Sequence, residues 1–500
     1  MFLKNLFKKT EKVSKYFYIT TTLPYVNADP HIGHAVEFVR ADAIARYKKL
    51  TGSEIFFNTG TDEHGQKIYN KASEVGKTPK EFVDIYVARV NELLELLNVG
   101  NYGKNINFIR TTDENHIISA QAFWKKCDEA GDIYKKLYET KYCVGCELEK
   151  TDSELVNGKC PDHSNLSIEI RKEENYFFRF SKYQGRLLEL YKKNPDFVVP
   201  ASRLNEITKF VERGLQDFSI SRLKSKMPWG IEVPNDPLHI MYVWFDALVN
   251  YVSAVGWPSD EGKYKKWLYE TGGMVQYCGK DNLRQQSAMW QAMLMSAGLP
   301  NSKQIIVDGF ILGAGGIKMS KTLGNVLSPF EVIKEYGTDA VRYFLLREAS
   351  PFEDSEFTME KFKEAYNANL ANGLGNLVSR IMKMATSYGV SLTEEEKLMH
   401  YYSSSKNEIH EALDRFSLAE EMNDIWSDIA FLDNYIQKNE PFKKIKVNID
   451  EAKKDVHVLL FHLLGVVLRL EPFMPEASLK IQQYIKENKM PEKPLFLRKE

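Results

Sequence analysis

Two histidines in His31-Ile32-Gly33-His34 stand where the first strand-like run of the chain hands over to its first helical stretch. Imidazoles at a helix N-terminus can donate hydrogen bonds to phosphate oxygens whose charge grows in a transition state, and the helix end itself favours an anion. Gly33 leaves room for a ligand to approach the backbone. Far downstream, Lys318-Met319-Ser320-Lys321 follows Gly313, Gly315 and Gly316. A glycine-flanked loop with two lysines can move and then set ammonium groups on a triphosphate. Each string alone fits a solvated turn. Both together, in this order and nearly three hundred residues apart, form the informative signal.

A third constellation is Cys143-x-x-Cys146, then thirteen residues, then Cys160-Pro161-Asp162-His163. Two such pairs of thiol and imidazole ligands suit tetrahedral Zn²⁺, and four protein ligands close the site, which makes it structural. Five cysteines in 500 residues form no disulfide framework. The metal-like spacing of three of them implies a reducing cytosol, so the expected location is cytoplasmic. Cys127 and Cys278 read as ordinary buried thiols.

The elements that must position these groups follow a regular order. Tyr16–Thr22 reads as a strand and Pro24 to Pro30 as a turn, and from His34 onward Val36, Val39, Ala43, Ile44 and Tyr47 recur at helical spacing, with Gly52 as the cap. Glu54–Thr59 is a second strand. Strand, turn, helix, strand opens a parallel α/β unit. The pattern breaks between about 121 and 225, then returns with Ile240–Phe245, Met274–Cys278 and Gln304–Val307 as further strands. Beyond Thr358 the text is rich in Glu, Lys, Leu, Ala and Asn with long stretches free of Pro and Gly, which predicts a helical bundle.

A chain of 500 residues implies several domains. The net charge of −1 does not mark a nucleic-acid binder, so a polyanion would need locally clustered Lys and Arg. No run is long and apolar enough to span a bilayer, which argues against a membrane partner. Lys4, Lys8, Lys9, Lys12 and Lys15 give a basic N-terminal extension.

The two signature strings resemble the HIGH and KMSKS motifs of class I aminoacyl-tRNA synthetases, with Thr322 in place of the usual final Ser. Thr21-Thr22-Leu23-Pro24-Tyr25-Val26-Asn27, Thr61-Asp62-Glu63-His64-Gly65, Tyr242-Val243-Trp244-Phe245-Asp246-Ala247 and Gly279-Lys280-Asp281 are similar to the methionyl branch, from about Tyr16 to beyond Phe442. The Cys3His constellation resembles the single zinc knuckle of one part of that branch. The implied fold is α/β: a Rossmann-like parallel-sheet catalytic domain with an inserted zinc-bearing connective domain and a C-terminal α-helical bundle. The segments would be an extension (1–15), a first catalytic half (16–120), the insertion (121–225), a second catalytic half (226–310), a stem-contact segment with the lysine loop (311–357) and an anticodon-binding bundle (358–500).

By the resemblance, the chain would activate methionine with ATP and pass it to tRNA(Met), needing one structural Zn²⁺ per chain and Mg²⁺ with ATP. His31, His34, Lys318 and Lys321 would be catalytic. Gly33, Asp281 and Ser320 would join them around ATP. Asp62 would hold the substrate ammonium, and Leu23, Tyr25, Trp244, Ala247, Tyr251 and Trp290 would line the thioether pocket. Gln286 stands where the family commonly has a histidine; an amide can donate or accept there but does not titrate. Asn376 and Arg380, four apart on one helical face, would read the anticodon, and Phe442 after Pro441 would replace the family's stacking Trp. With no room for an appended oligonucleotide-binding domain, the chain is expected to be a monomer. A sister synthetase for another apolar amino acid would carry a larger editing insertion. A zinc-containing RNA-binding protein without catalysis would show broken signatures, and these are intact.

Overall fold

The computed structural model describes residues 15–101, 103–146, 148–150, 154–319, 327–397 and 411–500. The basic extension up to residue 14, with Ser320, Lys321 and Thr322 of the lysine loop, lies outside the described residues.

A six-stranded parallel sheet organises the first part of the chain. Its strands lie in the order Asn107–Arg110, Glu54–Thr61, Tyr16–Thr20, Val275–Gly279, Gln304–Asp308, Val198–Val199. All five pairings are parallel, with Tyr18 opposite Phe56, and Ile19 opposite both Phe57 and Val275. The central strands are buried along nearly their whole length. That is why Tyr16–Thr20 and Gln304–Asp308 lack the regular apolar–polar alternation of a half-exposed strand. Connections run outward on both sides of Tyr16–Thr20, so the strand order reverses between it and Val275–Gly279. Ligands of open α/β sheets bind in the crevice at the carboxyl ends of strands flanking such a reversal.

Helix Ile32–Leu50 follows the first strand and is buried on nearly all sides, with Lys48 and Lys49 in its last turn and Gly52 just beyond at φ 101°. It packs between the sheet and the C-terminal helices in one large core that includes Val36, Val39, Ile306, Leu374, Ile425 and Leu463. The opposite face of the sheet is covered by a second core around Tyr18, Phe123, Phe245, Tyr251 and Trp290.

Two buried arginines stitch the layers together. Arg342 donates to the carbonyls of Phe473 (2.7 Å), Pro472 (2.9 Å) and Leu97 (3.1 Å) and pairs with Asp42 at 2.7 Å. Arg40 pairs with Asp308 at 3.0 Å and donates to the carbonyls of Ser350, Ala349 and Pro351.

Within the break in the α/β pattern, a four-stranded antiparallel sheet runs in the order Leu148–Lys150, Ile133–Cys143, Glu169–Phe178, Phe218–Ser219. The span expected to be one insertion also contains Val198–Val199, which pairs with Gln304–Asp308 in the main sheet. Ile240–Phe245 also departs from expectation: the strand Asp236–Met241 belongs to a small antiparallel sheet, and helix Val243–Leu248 begins right after it. A short apolar run that is buried throughout has no period that separates strand from helix. The bundle follows, with Asn376–Tyr388, Leu418–Asn439, Ile449–Leu470 and Pro475–Glu487 as its longer helices. Among the described residues no helix is long and apolar enough to cross a membrane.

Candidate active site and metal centre

At the reversal point lies a cleft of about 390 Å³. Leu23, Tyr25, His31, Gly33, His34, Asp62, Trp244, Ala247, Tyr251, Asp281, Gln286 and Lys318 all line it, although they come from six separate stretches of chain. Trp290 does not. It is fully buried behind the wall, tilted against Tyr251 at a centroid distance of 5.8 Å and stacked on Phe123. Its large ring belongs to the core that supports the pocket.

The two signature histidines cap the helix they begin. His31 Nδ1 accepts from the Gly33 amide at 3.1 Å, and His34 Nδ1 accepts from the His31 amide at 3.2 Å, a reciprocal capping box built from imidazoles. The rings stack at 3.9 Å. Because Nδ1 of each ring is an acceptor, the proton sits on Nε2, which is then a donor at the helix's positive end. Burial, with His31 adding to it, holds His34 well below the ordinary imidazole value, so it remains neutral at physiological pH. A Cβ at Gly33 would stand 2.9 Å from the His31 ring, so glycine lets the cap close.

Lys318 returns to the same cleft through a hairpin in which Gly315 and Gly316 both take φ 71°, a left-handed conformation suited to glycine. Its ammonium lies 4.7 Å above the Phe310 ring, with Lys280 on the same ring at 4.3 Å. Lys280 is in turn paired with Asp354 at 2.7 Å.

An acidic side to the cleft was not anticipated. Glu37 accepts a hydrogen bond from the Thr22 amide, and burial, reinforced by Asp308 and Asp281, raises its carboxyl well above the usual range. Burial also pushes Asp308 up to about 6, with the Arg40 guanidinium opposing that shift. Glu37 lies three residues after His34 on one helical face, and Asp308 ends a strand that was anticipated. Those positions were the available signals.

The Leu23–Tyr25 turn is laced to Asp62: the Val26 amide donates to the Asp62 carbonyl (3.1 Å) and the Asp62 amide to the Pro24 carbonyl (3.0 Å). The next residue, Glu63, is fully buried and gripped by Arg110 at 2.6 and 2.9 Å. On the facing wall Gln286 donates to the Tyr251 hydroxyl (2.6 Å) and accepts from Gln276 (2.7 Å). A chain of buried amides thus presents a phenol to the cavity, with no titrating member at the position of the expected histidine.

Cys143, Cys146, Cys160 and His163 converge, with every ligand atom within 4.8 Å of the others, so the cluster can hold one metal ion. Cys146 Sγ lies 3.3 Å from Cys160 Sγ and 3.2 Å from His163 Nδ1, and Cys143 Sγ lies 3.9 Å from that nitrogen. Ligand bonds of ~2.3 Å to sulfur and ~2.0 Å to nitrogen give tetrahedral edges of about 3.5–3.8 Å, so the set fits such an ion. A Cβ at Gly145 would stand 2.4 Å from the His163 ring, so the knuckle requires glycine there. Gly145 and Cys146 also line the cleft, and Lys67 donates to the Gly145 carbonyl at 3.4 Å. Cys127 and Cys278 are buried elsewhere.

In the bundle, Asn376 is exposed and Arg380, on the same helix, is paired with Asp433 of Leu418–Asn439. Phe442 is 44% exposed just beyond that helix's end, where Glu440 turns the chain at φ 45°.

The sequence matches the family model described as tRNA synthetases class I (M) over residues 17–168 and 163–382. It is 41% identical over 480 residues to the methionine–tRNA ligase of Clostridium perfringens, covering 93% of this chain and 73% of that protein. It is 40% identical to that of a Nostoc species, covering 96% and 91%. The Mycobacterium tuberculosis methionyl-tRNA synthetase solved in complex with methionyl-adenylate superposes with a TM-score of 0.85 at 33% identity, covering 94% of this chain and 93% of that one.

Proposed function

The chain belongs to the methionine–tRNA ligase family of class I tRNA synthetases, and from that premise we infer which of its groups carry each step of the reaction. Methionine carboxylate attacks the α-phosphate of ATP, giving methionyl-adenylate and pyrophosphate. A hydroxyl of the terminal ribose of tRNA(Met) then takes the methionyl group. No covalent enzyme intermediate is required, so positioning and charge stabilisation supply the catalysis.

Asp62 pairs with the substrate ammonium. Leu23, Tyr25, Trp244, Ala247 and Tyr251 enclose the side chain, with Gln286 orienting the Tyr251 phenol and Trp290 backing it. Aromatic walls suit a polarizable thioether, at roughly 0.3–1.5 kcal/mol per sulfur contact. The Nε2 donors of His31 and His34, with Lys318 and Lys321, stabilise the phosphates, which arrive with Mg²⁺. Gly33 and Ser320 line the same path, and Asp281 addresses the ribose. The Cys3His cluster holds one Zn²⁺, which fixes the knuckle beside the cleft. Asn376, Arg380 and Phe442 read the anticodon. The segments 16–120, 226–310, 121–225, 311–357 and 358–500 serve as two catalytic halves, connective insertion (apart from Val198–Val199, which joins the main sheet), stem contact and anticodon domain, in a cytoplasmic monomer.

One observation carries this reading: a carboxylate, two pre-oriented imidazole donors and a lysine line a single cleft at the reversal point of a parallel sheet. Exchange of labelled pyrophosphate into ATP, run across the twenty amino acids, tests it. Methionine should support exchange and the others should not; exchange driven equally by another apolar amino acid would overturn the assignment.

A further inference from the structure

Behind the amino-acid end of the cleft lies a chain of buried polar groups with no role in the steps above. His64 Nδ1 meets Asp246 Oδ2 at 2.6 Å, and His116 Nε2 meets Asp246 Oδ1 at 2.9 Å. His116 Nδ1 meets the Ser253 hydroxyl at 2.9 Å. All four residues are buried, Asp246 and His116 completely. Trp229 closes the chain from outside: its ring packs edge-on to His64 at 5.4 Å, and its indole N–H donates to the Glu63 carbonyl at 2.5 Å.

The arrangement fixes its own protonation. An ionised carboxylate only accepts, so each ring nitrogen facing Asp246 must carry a proton. The other nitrogen of His116 meets the Ser253 hydroxyl, which also lies 3.3 Å from the Asn250 carbonyl. Burial opposes the charge on Asp246, but His64 and His116 more than offset it and keep the carboxyl below its usual range. Removing one partner from such a buried group leaves a polar atom unsatisfied, so the chain is a rigid link.

What it links is specific. His64 lies two residues beyond Asp62, at the end of Glu54–Thr61. Asp246 stands between Trp244 and Ala247 on helix Val243–Leu248, and both of those residues line the cleft. His116 anchors the pair to helix Glu114–Glu129. Building on the reading of Asp62 and Trp244 as the two ends of the methionine site, we propose that His64, Asp246 and His116 are positioning residues. They set the separation between the ammonium-binding carboxylate and the side-chain wall, and thereby govern methionine affinity rather than ATP use. None of the three lines the cleft itself.

Substitutions that separate donor geometry from bulk test this. His64→Asn keeps an N–H near the Nδ1 position and His116→Gln keeps one near Nε2, whereas His64→Leu and His116→Leu fill space without donating. In pyrophosphate exchange the two leucine variants and Asp246→Asn should raise KM for methionine at least tenfold, with KM for ATP within twofold of wild type. The two donor-keeping variants should stay within threefold on both. A parallel rise in both KM values, or donor-keeping variants as impaired as the leucine ones, would overturn the proposal. Should Asp246→Asn fail to fold, the comparison of His64→Asn with His64→Leu decides alone. Failure of wild-type protein to use methionine at all would instead refute the functional reading on which this rests.

Discussion

His34→Gln separates two jobs that the structure assigns to one side chain. His34 occupies the third position of its helix and accepts the His31 amide through Nδ1, the place where a capping box ordinarily has Glu or Gln. A glutamine there can accept the same amide through its side-chain oxygen, so the cap, worth ~0.5–2 kcal/mol, should survive. The imidazole Nε2 donor is lost. A hydrogen bond to a charged group contributes roughly 1.5–3 kcal/mol. If that bond strengthens as charge builds on the phosphates, kcat/KM for ATP should fall about 10- to 150-fold. Pyrophosphate exchange at varied ATP and methionine reads this directly, beside a thermal melt. The expected result is a melting temperature within a few degrees of wild type, KM for methionine little changed and a drop of one to two decades with ATP. An exchange rate within threefold of wild type in a stably folded variant would refute the reasoning, and so would a loss that simply follows the melting temperature.

The same variant predicts a pH effect. His34 is depressed in the folded protein, so below the unfolded value near 6.5 the unfolded chain binds the extra proton and wild type loses stability as pH falls through that region. Denaturant midpoints of wild type and His34→Gln should diverge below pH 6.5, with wild type losing ground; parallel curves would count against a neutral His34. In the bundle, the Arg380–Asp433 pair is about one-third exposed on each side, so Arg380→Ala should cost under ~1 kcal/mol of stability. It should nevertheless lower the second-order tRNA charging rate by about one to two decades, with methionine activation intact; equal losses on tRNAs with matched and altered anticodons would remove this helix as the reader. Phe442→Ala should act in the same direction through ~1–3 kcal/mol of lost base stacking, and Phe442→Trp should be tolerated, as charging assays on both variants would show. Elemental analysis should find one zinc per chain in protein purified without chelator and none in Cys160→Ala, and a metal-free wild type would refute the knuckle.

The parts of this protein legible in its sequence are those whose chemistry is local. His31 and His34 share one turn with the cap they form, and Lys318 follows glycines that alone permit its hairpin. The cysteine pairs lie within two short loops, so ligand spacing implied the cluster before any fold was known. The signature strings and the text between them identified the family for the same reason, and the long polar helices after Thr358 kept their 3.6-residue period because one face stays wet.

Groups that meet only through the sheet required the fold. Glu37 and Asp308 meet because a parallel crossover brings one helix face against a strand end two hundred and more residues away. Val198–Val199 joins the main sheet as a two-residue edge, too short to leave a pattern. Val243–Leu248 is buried at every position but Trp244, which erases the periodicity that would have announced a helix. Trp290 and the His64–Asp246–His116 chain look like pocket residues or plain core in one dimension. Only packing decides which aromatic faces the cavity and which histidine faces a carboxylate, because burial free energy depends on the neighbours a side chain finds and not on those it follows.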